Sequence, residues 1–327
     1  MKTPLAAALA AAALALAACT STPESTPSPT ETSTSGGGGG ETPMEQETYE
    51  VRVAALPIAE TGALWGAIDE GIFAEHGVEV EIVPAQGGAL AIPALLSGDI
   101  DFAIGQPFGT FRADQQDLGV SIISNYADSL ESGKDVHAVV TLDGSGIEGP
   151  ADLAGKRVSV NSLGAAGDVT IMKSVADAGG DPSTIEFVEV AFPDAQAQLE
   201  AGNIDAAWVP DPFMSMVVGA GGSIVVHPYQ ATIPGLSVLV NMTTQTNIDE
   251  NPEMVAAYSS AMADALEWAA SNEDGVRAAI AAGLDIPEEA AAGITLPTFT
   301  SEVDTEDLEA LGALAVEFGV LDGAPDL

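Results

Sequence analysis

The chain has 327 residues, 46% hydrophobic and 17% charged, enough for one large or two modest domains around a sizeable core, which excludes wholesale disorder. Its 8 Lys and Arg against 49 Asp and Glu give a formal charge of −41; such a surface repels phosphate backbones and anionic headgroups and argues against nucleic-acid binding and electrostatic membrane docking. The single cysteine excludes an internal disulfide framework and a Cys-cluster metal site.

Lys2 precedes an apolar run of Ala and Leu from Leu5 to Ala18, long enough for the hydrophobic part of an export signal and short for a membrane span. It ends in Leu16-Ala17-Ala18-Cys19, which resembles the bacterial lipoprotein box and contains the chain's one cysteine. Residues 1–18 therefore read as a signal peptide and Cys19 as a lipidated N-terminus on the extracytoplasmic face of the cell membrane. Residues 19–48 turn to Ser, Thr, Pro, Glu and the run Gly36 to Gly40, with little apolar surface to bury, which reads as a flexible tether.

From Tyr49 the pattern alternates strand and helix. Val51 to Ala55 reads as a strand, Ala63 to Glu70 as a helix stopped by Gly71, and the strict alternation Val78-Glu79-Val80-Glu81-Ile82 as a second strand. A short helix ends at Gly98, and Asp101 to Ile104, Ser121 to Ser124 and His137 to Leu142 continue as apolar strands. A second unit repeats the grammar: strand 157–160, helix 168–178, strand 185–190, helix 194–201 and strand 206–209. Gly235 to Val240 is a further strand, and three helices follow, over 252–269, 275–282 and 304–318, with no strand expected among them. Leu95, Gly98, Ile100, Asp101 and Ala103 recur as Leu199, Gly202, Ile204, Asp205 and Ala207, each set running on to a Pro-Phe pair. The fold class is α/β with two similar lobes, each an open, mainly parallel sheet flanked by helices. Residues 49–142 and 241–327 form lobe 1, residues 143–240 form lobe 2, and the chain crosses between them near Leu142 and Gly235.

Four motifs in order carry a resemblance: Gly71-Ile72-Phe73-Ala74-Glu75-His76-Gly77-Val78, Leu95-Leu96-Ser97-Gly98-Asp99-Ile100-Asp101, Asp152-Leu153-Ala154-Gly155-Lys156-Arg157-Val158, and Gly202-Asn203-Ile204-Asp205-Ala206 with Asp211-Pro212-Phe213. The body from Val51 to about Phe318 resembles the solute-binding proteins of ABC importers that serve nitrate, sulfonates, taurine and thiamine-precursor pyrimidines. The resemblance implies a type II periplasmic-binding fold, two hinge crossovers, closure over a small solute, delivery to the permease of an ABC importer, and a monomer without cofactor or catalysis. A tethered sensor would use the same cleft. The pyrimidine synthase on this scaffold depends on a cysteine-rich motif that this chain lacks.

Ligands in open α/β sheets bind beyond the carboxyl ends of the strands, where helix N-termini present free amides. That rule selects Glu60-Thr61-Gly62, Gln86-Gly87-Gly88, Gly105-Gln106-Pro107, Ser162 to Gly167, and Pro210 to Phe213. From these loops Thr61, Gly62, Gln86, Gly87, Gln106, Ser162, Gly164, Ala165, Asp211 and Phe213 are the candidate ligand contacts. Trp65 is added as an aromatic wall, and Asp211 as a partner for an amino group. Asp101 and Asp205 read as structural, and His76, His137 and His227 share no metal-ligand spacing. Gly144-Ser145-Gly146-Ile147-Glu148-Gly149 imitates a dinucleotide fingerprint, but Pro150 follows where a helix should open. No Lys or Arg falls within the five loops, and Arg112 is the nearest. The expected solute is thus neutral, zwitterionic or singly charged.

Overall fold

The computed structural model describes residues 48–85 and 87–326. Two sheets organise them. The first takes its strands in the order β11-β4-β10-β3-β1-β2, with β1 Tyr49–Ala55, β2 Val78–Pro84, β3 Phe102–Gly105, β4 Val120–Asp128, β10 Ser237–Thr244 and β11 Thr298–Phe299. The second runs β7-β6-β8-β5-β9, with β5 His137–Thr141, β6 Arg157–Val160, β7 Glu186–Glu189, β8 Ala206–Pro210 and β9 Ser223–Val226.

Neither sheet is wholly parallel. Each has a parallel triplet, β3-β1-β2 and β8-β6-β7, closed by an antiparallel strand: β10 against β3, β5 against β8. This places two segments differently from the sequence reading. His137–Thr141 does not complete the first sheet but pairs with β8 and β9 in the second, and Ser237–Val240, counted with lobe 2, pairs with β3 and β4 in the first. Apolar runs of this length announce a strand without naming its neighbours. The crossovers consequently lie within 129–136 and 227–236, side by side, where the Ser129 N–H donates to the Leu236 carbonyl at 2.8 Å. The C-terminal helices also contain a strand, β11, paired with β4.

The recurrent Asp residues hold equivalent corners. Asp101 accepts from the backbone N–H of Arg52 at 2.8 Å and from its guanidinium at 3.1 Å, while its own N–H returns a bond to the Arg52 carbonyl at 2.9 Å. Asp205 does the same with Arg157, at 2.9, 2.8 and 2.8 Å. The closing strands complete the likeness: Thr243 of β10 donates to the Asp101 carbonyl at 2.7 Å and Thr141 of β5 to the Asp205 carbonyl at 2.8 Å. Gly98 and Gly202, just before each corner, have φ of +74° and +68°, which an L side chain adopts only with strain.

The helix Pro252–Ser271 buries Tyr258, Ala261, Met262, Ala265 and Leu266 on the first lobe, where Tyr258 stacks on Phe102 at 3.7 Å and donates to Asn241 Oδ1 at 3.1 Å. Glu273–Gly283 packs on the helix Gly62–Asp69, so that a Cβ on Gly62 would meet Ile280 at 2.4 Å and one on Gly283 would meet Trp65 at 2.3 Å.

Thr141 and Thr243 are fully buried, so Thr141→Val and Thr243→Val should each lower unfolding free energy by about 1 kcal/mol. Because the two corners lie in different sheets, the double variant should be additive in urea denaturation; marked coupling would show that they are not independent structural elements.

Candidate functional site

The carboxyl ends of both parallel triplets face the crossovers, and the loops that leave them meet there. From the first lobe come Leu56 to Thr61 after β1, Ala85 and Gly87 after β2, and Gln106 after β3; from the second come Asn161 to Ala166 after β6, Ala191 to Pro193 after β7, and Asp211 to Phe213 after β8. Leu56, Pro57, Ile58 and Ala85 face Ala191, Phe192, Pro193 and Phe213 across a cavity of about 140 Å³. Deeper, Gly87, Gln106 and Leu239 meet His137, Asn161, Phe192 and Tyr229 around a space of only about 10 Å³. A solute that is to reach the inner space therefore needs the lobes to part. A larger groove of about 620 Å³ lies on the first lobe, but it draws no residue from the second and lies away from every strand-end loop.

Several polar contacts among the described residues join the lobes. The Ala59 N–H donates to the Asp211 carbonyl at 3.2 Å, and Ala166, at the N-terminus of the helix Ala166–Asp177, donates to Gln106 Oε1 at 3.2 Å. Arg112 reaches from the helix Phe108–Asp114 to the carbonyl oxygens of Leu163 and Gly164. A cation thus arrives at the Ser162 to Gly167 loop from the opposite lobe, which a loop-by-loop reading cannot see.

The interface also buries an acid against an imidazole. Glu60 and His137 are 1% and 3% exposed, and Glu60 Oε1 lies 3.2 Å from His137 Nδ1. Neither Glu60 oxygen nor that nitrogen makes a well-formed hydrogen bond, and the Tyr229 hydroxyl and Trp208 indole N–H are likewise buried without a partner. Trp208 stacks on the His137 ring at 4.6 Å, with Tyr229 edge-on at 5.1 Å and Phe192 at 6.2 Å. Burial, with the Asp211 and Asp135 carboxylates nearby, pushes Glu60 up to about 8, and burial together with His227 holds His137 down to about 3. Both groups are then neutral over most of the physiological range.

Of the sequence-derived contacts, Gly87, Gln106 and Phe213 line the space between the lobes, and Phe213 lies 6.1 Å from Phe192. A Cβ on Gly87 would come 3.4 Å from Asn161 and 3.9 Å from Ser162, so these loops oppose one another. Gly164 and the buried Ala165 stand at the N-terminus of the helix Ala166–Asp177, where the Gly164 N–H donates to Asp168. Four residues are placed otherwise. Thr61 is buried and its hydroxyl donates to the Leu56 carbonyl, while Gly62 and Trp65 face the helix Glu273–Gly283 inside the first lobe. Asp211 is buried and accepts from the Ser215 N–H at 3.0 Å, capping the helix Phe213–Gly219 rather than waiting for an amine. Gln86 and Cys19 lie outside the described residues.

Glu60, His137, Phe192, Trp208 and Tyr229 were not chosen from the sequence. Glu60 shares a selected loop with Thr61 and faces the interface where its neighbour turns inward. Phe192 follows a parallel strand directly, so the strand-end rule itself points to it. His137 has no such signal, because its place depends on β5 belonging to the second sheet. Among the described residues, no three His, Cys, Asp or Glu are gathered to hold a metal.

The NMT1/THI5-like profile matches residues 60–275, two thirds of the chain. The chain belongs to that family. A formylaminopyrimidine-binding protein of Halalkalibacterium halodurans is 26% identical over 232 residues, 70% of this chain and 68% of its own. The alkanesulfonate-binding protein SsuA of Xanthomonas axonopodis pv. citri, bound to MOPS, superposes with a TM-score of 0.71 at 16% identity, over 86% of this chain and 96% of that one. The periplasmic nitrate-binding protein NrtA of Synechocystis PCC 6803 gives 0.70 at 14% identity, over 85% and 83%. The desulfurization enzyme DSZB shares the fold as well, at 0.65 and 15% identity over 85% and 94%. These neighbours establish a two-sheet periplasmic-binding fold for this member of the family.

Glu60 keeps its proton in the folded protein up to about pH 8 and loses it near 4.5 when unfolded, so its contribution to stability falls as pH rises through that window. His137 has the opposite sign: unfolded it is protonated below about pH 6.5, folded it stays neutral down to about 3, so its contribution rises with pH there. The two cancel from about 4.5 to 6.5, and Asp128 and Asp168, each raised to about 6, act below the remaining interval. From about pH 6.5 to 8 unfolding free energy should therefore fall by about 2 kcal/mol, a slope that Glu60→Gln removes. Urea unfolding across this range tests the assignment, which fails if the slope persists in the variant.

Proposed function

We propose that this protein is an extracytoplasmic receptor that captures a small organic nutrient containing nitrogen or sulfur by closing its two lobes, and delivers it to the permease of an ABC importer. The observation that carries this reading is the interlobe space built from the strand-end loops of both sheets beside two adjacent crossovers. Family membership supports it, as do relatives whose names specify a formylaminopyrimidine, an alkanesulfonate or nitrate. The protein acts as a receptor rather than an enzyme and works as a monomer. No helix among the described residues is long and apolar enough to cross a membrane, and attachment is through lipid on Cys19, with residues 19–48 as the tether.

Ligand contacts both lobes only when they close, so binding shifts the open–closed equilibrium by its differential affinity for the two states. Moving that balance from 1:99 to 99:1 takes about 5.5 kcal/mol, within reach of a handful of buried hydrogen bonds and one aromatic contact. The permease then reads shape, and no bond in the solute need change.

A thermal-shift panel of taurine, alkanesulfonates, nitrate, aminopyrimidines and simple amines should yield at least one stabilising solute, worth about 2.7 kcal/mol at a hundredfold excess over Kd. The same solute should reduce the radius of gyration in small-angle scattering, and an unchanged radius at saturation would count against closure. In the native host, a fatty-acid probe should label the wild-type chain and not Cys19→Ala; equal labelling would remove the lipid anchor.

A further inference from the structure

The polar groups buried between the lobes have a chemical bias. Glu60 comes from the loop after β1, His137 from the start of β5, Tyr229 from the helix Pro228–Thr232 and Trp208 from β8. Each carries at least one polar atom that is buried and has no hydrogen-bond partner, and all four residues are at least nine-tenths buried. His137 and Tyr229 line the inner cavity. Polar atoms left this way are destabilising unless a ligand completes them.

The surrounding charge has one sign. Asp211 and Asp135 lie close enough to raise Glu60. Asp211 is committed to the Ser215 N–H, and Asp135 to the N–H groups of Leu130, Val136 and Gln230. The other groups facing the pair are Tyr126, whose hydroxyl donates to the Glu60 carbonyl at 3.0 Å, and His227, whose Nδ1 lies 2.8 Å from the His137 carbonyl oxygen. Neither lining of the interlobe cavity contains a Lys or Arg, and Arg112 is turned to the carbonyls of Leu163 and Gly164. The aromatic walls are Phe192, Phe213 and Tyr229, with Trp208 packed behind Phe192 and Tyr229, and their ring electrons attract cations.

Resting on the receptor reading above, we propose that the captured solute is a compact organic cation, a planar amidinium-like or protonated amine group, received beside His137 by the Glu60 carboxylate, with the Glu60 proton released to solvent on binding. The balance is simple: one protonated carboxyl becomes a carboxylate, one proton passes to water, and the cation supplies the compensating charge. His137, whose Nδ1 lies 3.2 Å from Glu60 Oε1, stays neutral. The rise of Glu60 to about 8 makes the exchange observable at neutral pH.

Benzamidinium, benzamide and benzoate share one shape and carry charges of +1, 0 and −1. Titration calorimetry of the full chain at pH 6.5 and 7.5, in buffers of differing ionisation heat, should show benzamidinium binding at least about tenfold more tightly than benzamide, with benzoate weakest. Benzamidinium should release close to one proton at pH 6.5, and its affinity should rise severalfold by pH 7.5, while benzamide releases none. Glu60→Gln should abolish the proton release and weaken benzamidinium about tenfold or more without altering benzamide. The buffer dependence in the wild type decides the matter even if that variant folds poorly. Binding of benzamidinium without proton release, or benzoate binding as tightly, overturns the proposal. If none of the three binds, it is overturned as well, while the receptor reading stands or falls on the thermal-shift panel.

Discussion

Each parallel triplet of strands in this protein is closed by an antiparallel strand that has just crossed from the other lobe, and the remaining geometry follows from that exchange. β5 enters the second sheet beside β8, and β10 returns to the first beside β3. An antiparallel neighbour begins where its partner ends: His137 lies opposite Pro210, and Val240, just inside β10, lies opposite Gly105. Both crossovers are therefore fixed at the carboxyl ends of the triplets, where the helix N-termini and strand-end loops also gather. The site is between the lobes because the hinges are there, and the same register sets His137 against Glu60.

Much of this was legible in the sequence, and the divisions are instructive. Strand and helix identity came through because short apolar runs bounded by Gly and Pro have few other solutions; the helix ends at Gly71 and Gly98, for example, are left-handed positions with φ of +81° and +74°. The internal echo of Asp101 and Asp205 proved to be a repeated Arg–Asp corner with a repeated threonine beneath it. Strand pairing was illegible, since β5 has a continuous apolar pattern that suits either sheet. That single ambiguity moved the lobe boundary and concealed His137. At the site the strand-end rule found the right loops but not always the right side chain. In a tight turn adjacent residues face opposite ways, so that Glu60 reaches the interface while Thr61 binds back to Leu56.

The surface and the cleft use charge differently. Across the whole chain the excess of carboxylates is screened within about 8–10 Å at physiological salt, so it says little about a buried site. Behind the interlobe surface Glu60, Asp135 and Asp211 are buried and lie near one another, and each carries more weight. Asp135 and Asp211 accept backbone N–H donors, and at Asp135 these offset part of a desolvation that still raises it. Glu60 gains less from its own backbone N–H than burial takes away, and it avoids the cost by staying protonated. A side chain kept neutral by its surroundings holds a proton that a partner of opposite charge can displace.

The closed arrangement is held lightly for its extent. Among the described residues, two backbone N–H bonds, one of them to a glutamine side chain, and the reach of Arg112 to two carbonyls are contacts that span the lobes. Bonds of this kind are worth about 1 kcal/mol each in water-accessible settings, while the unmet polar atoms of Glu60, His137, Tyr229 and Trp208 weigh in the opposite direction. A receptor needs that balance, because a cleft that shuts firmly by itself admits no solute, and one with no direct contacts between its lobes presents no defined closed face to a partner. On the proposed receptor reading, a solute that completes these buried groups removes a cost that is present only when the lobes are together.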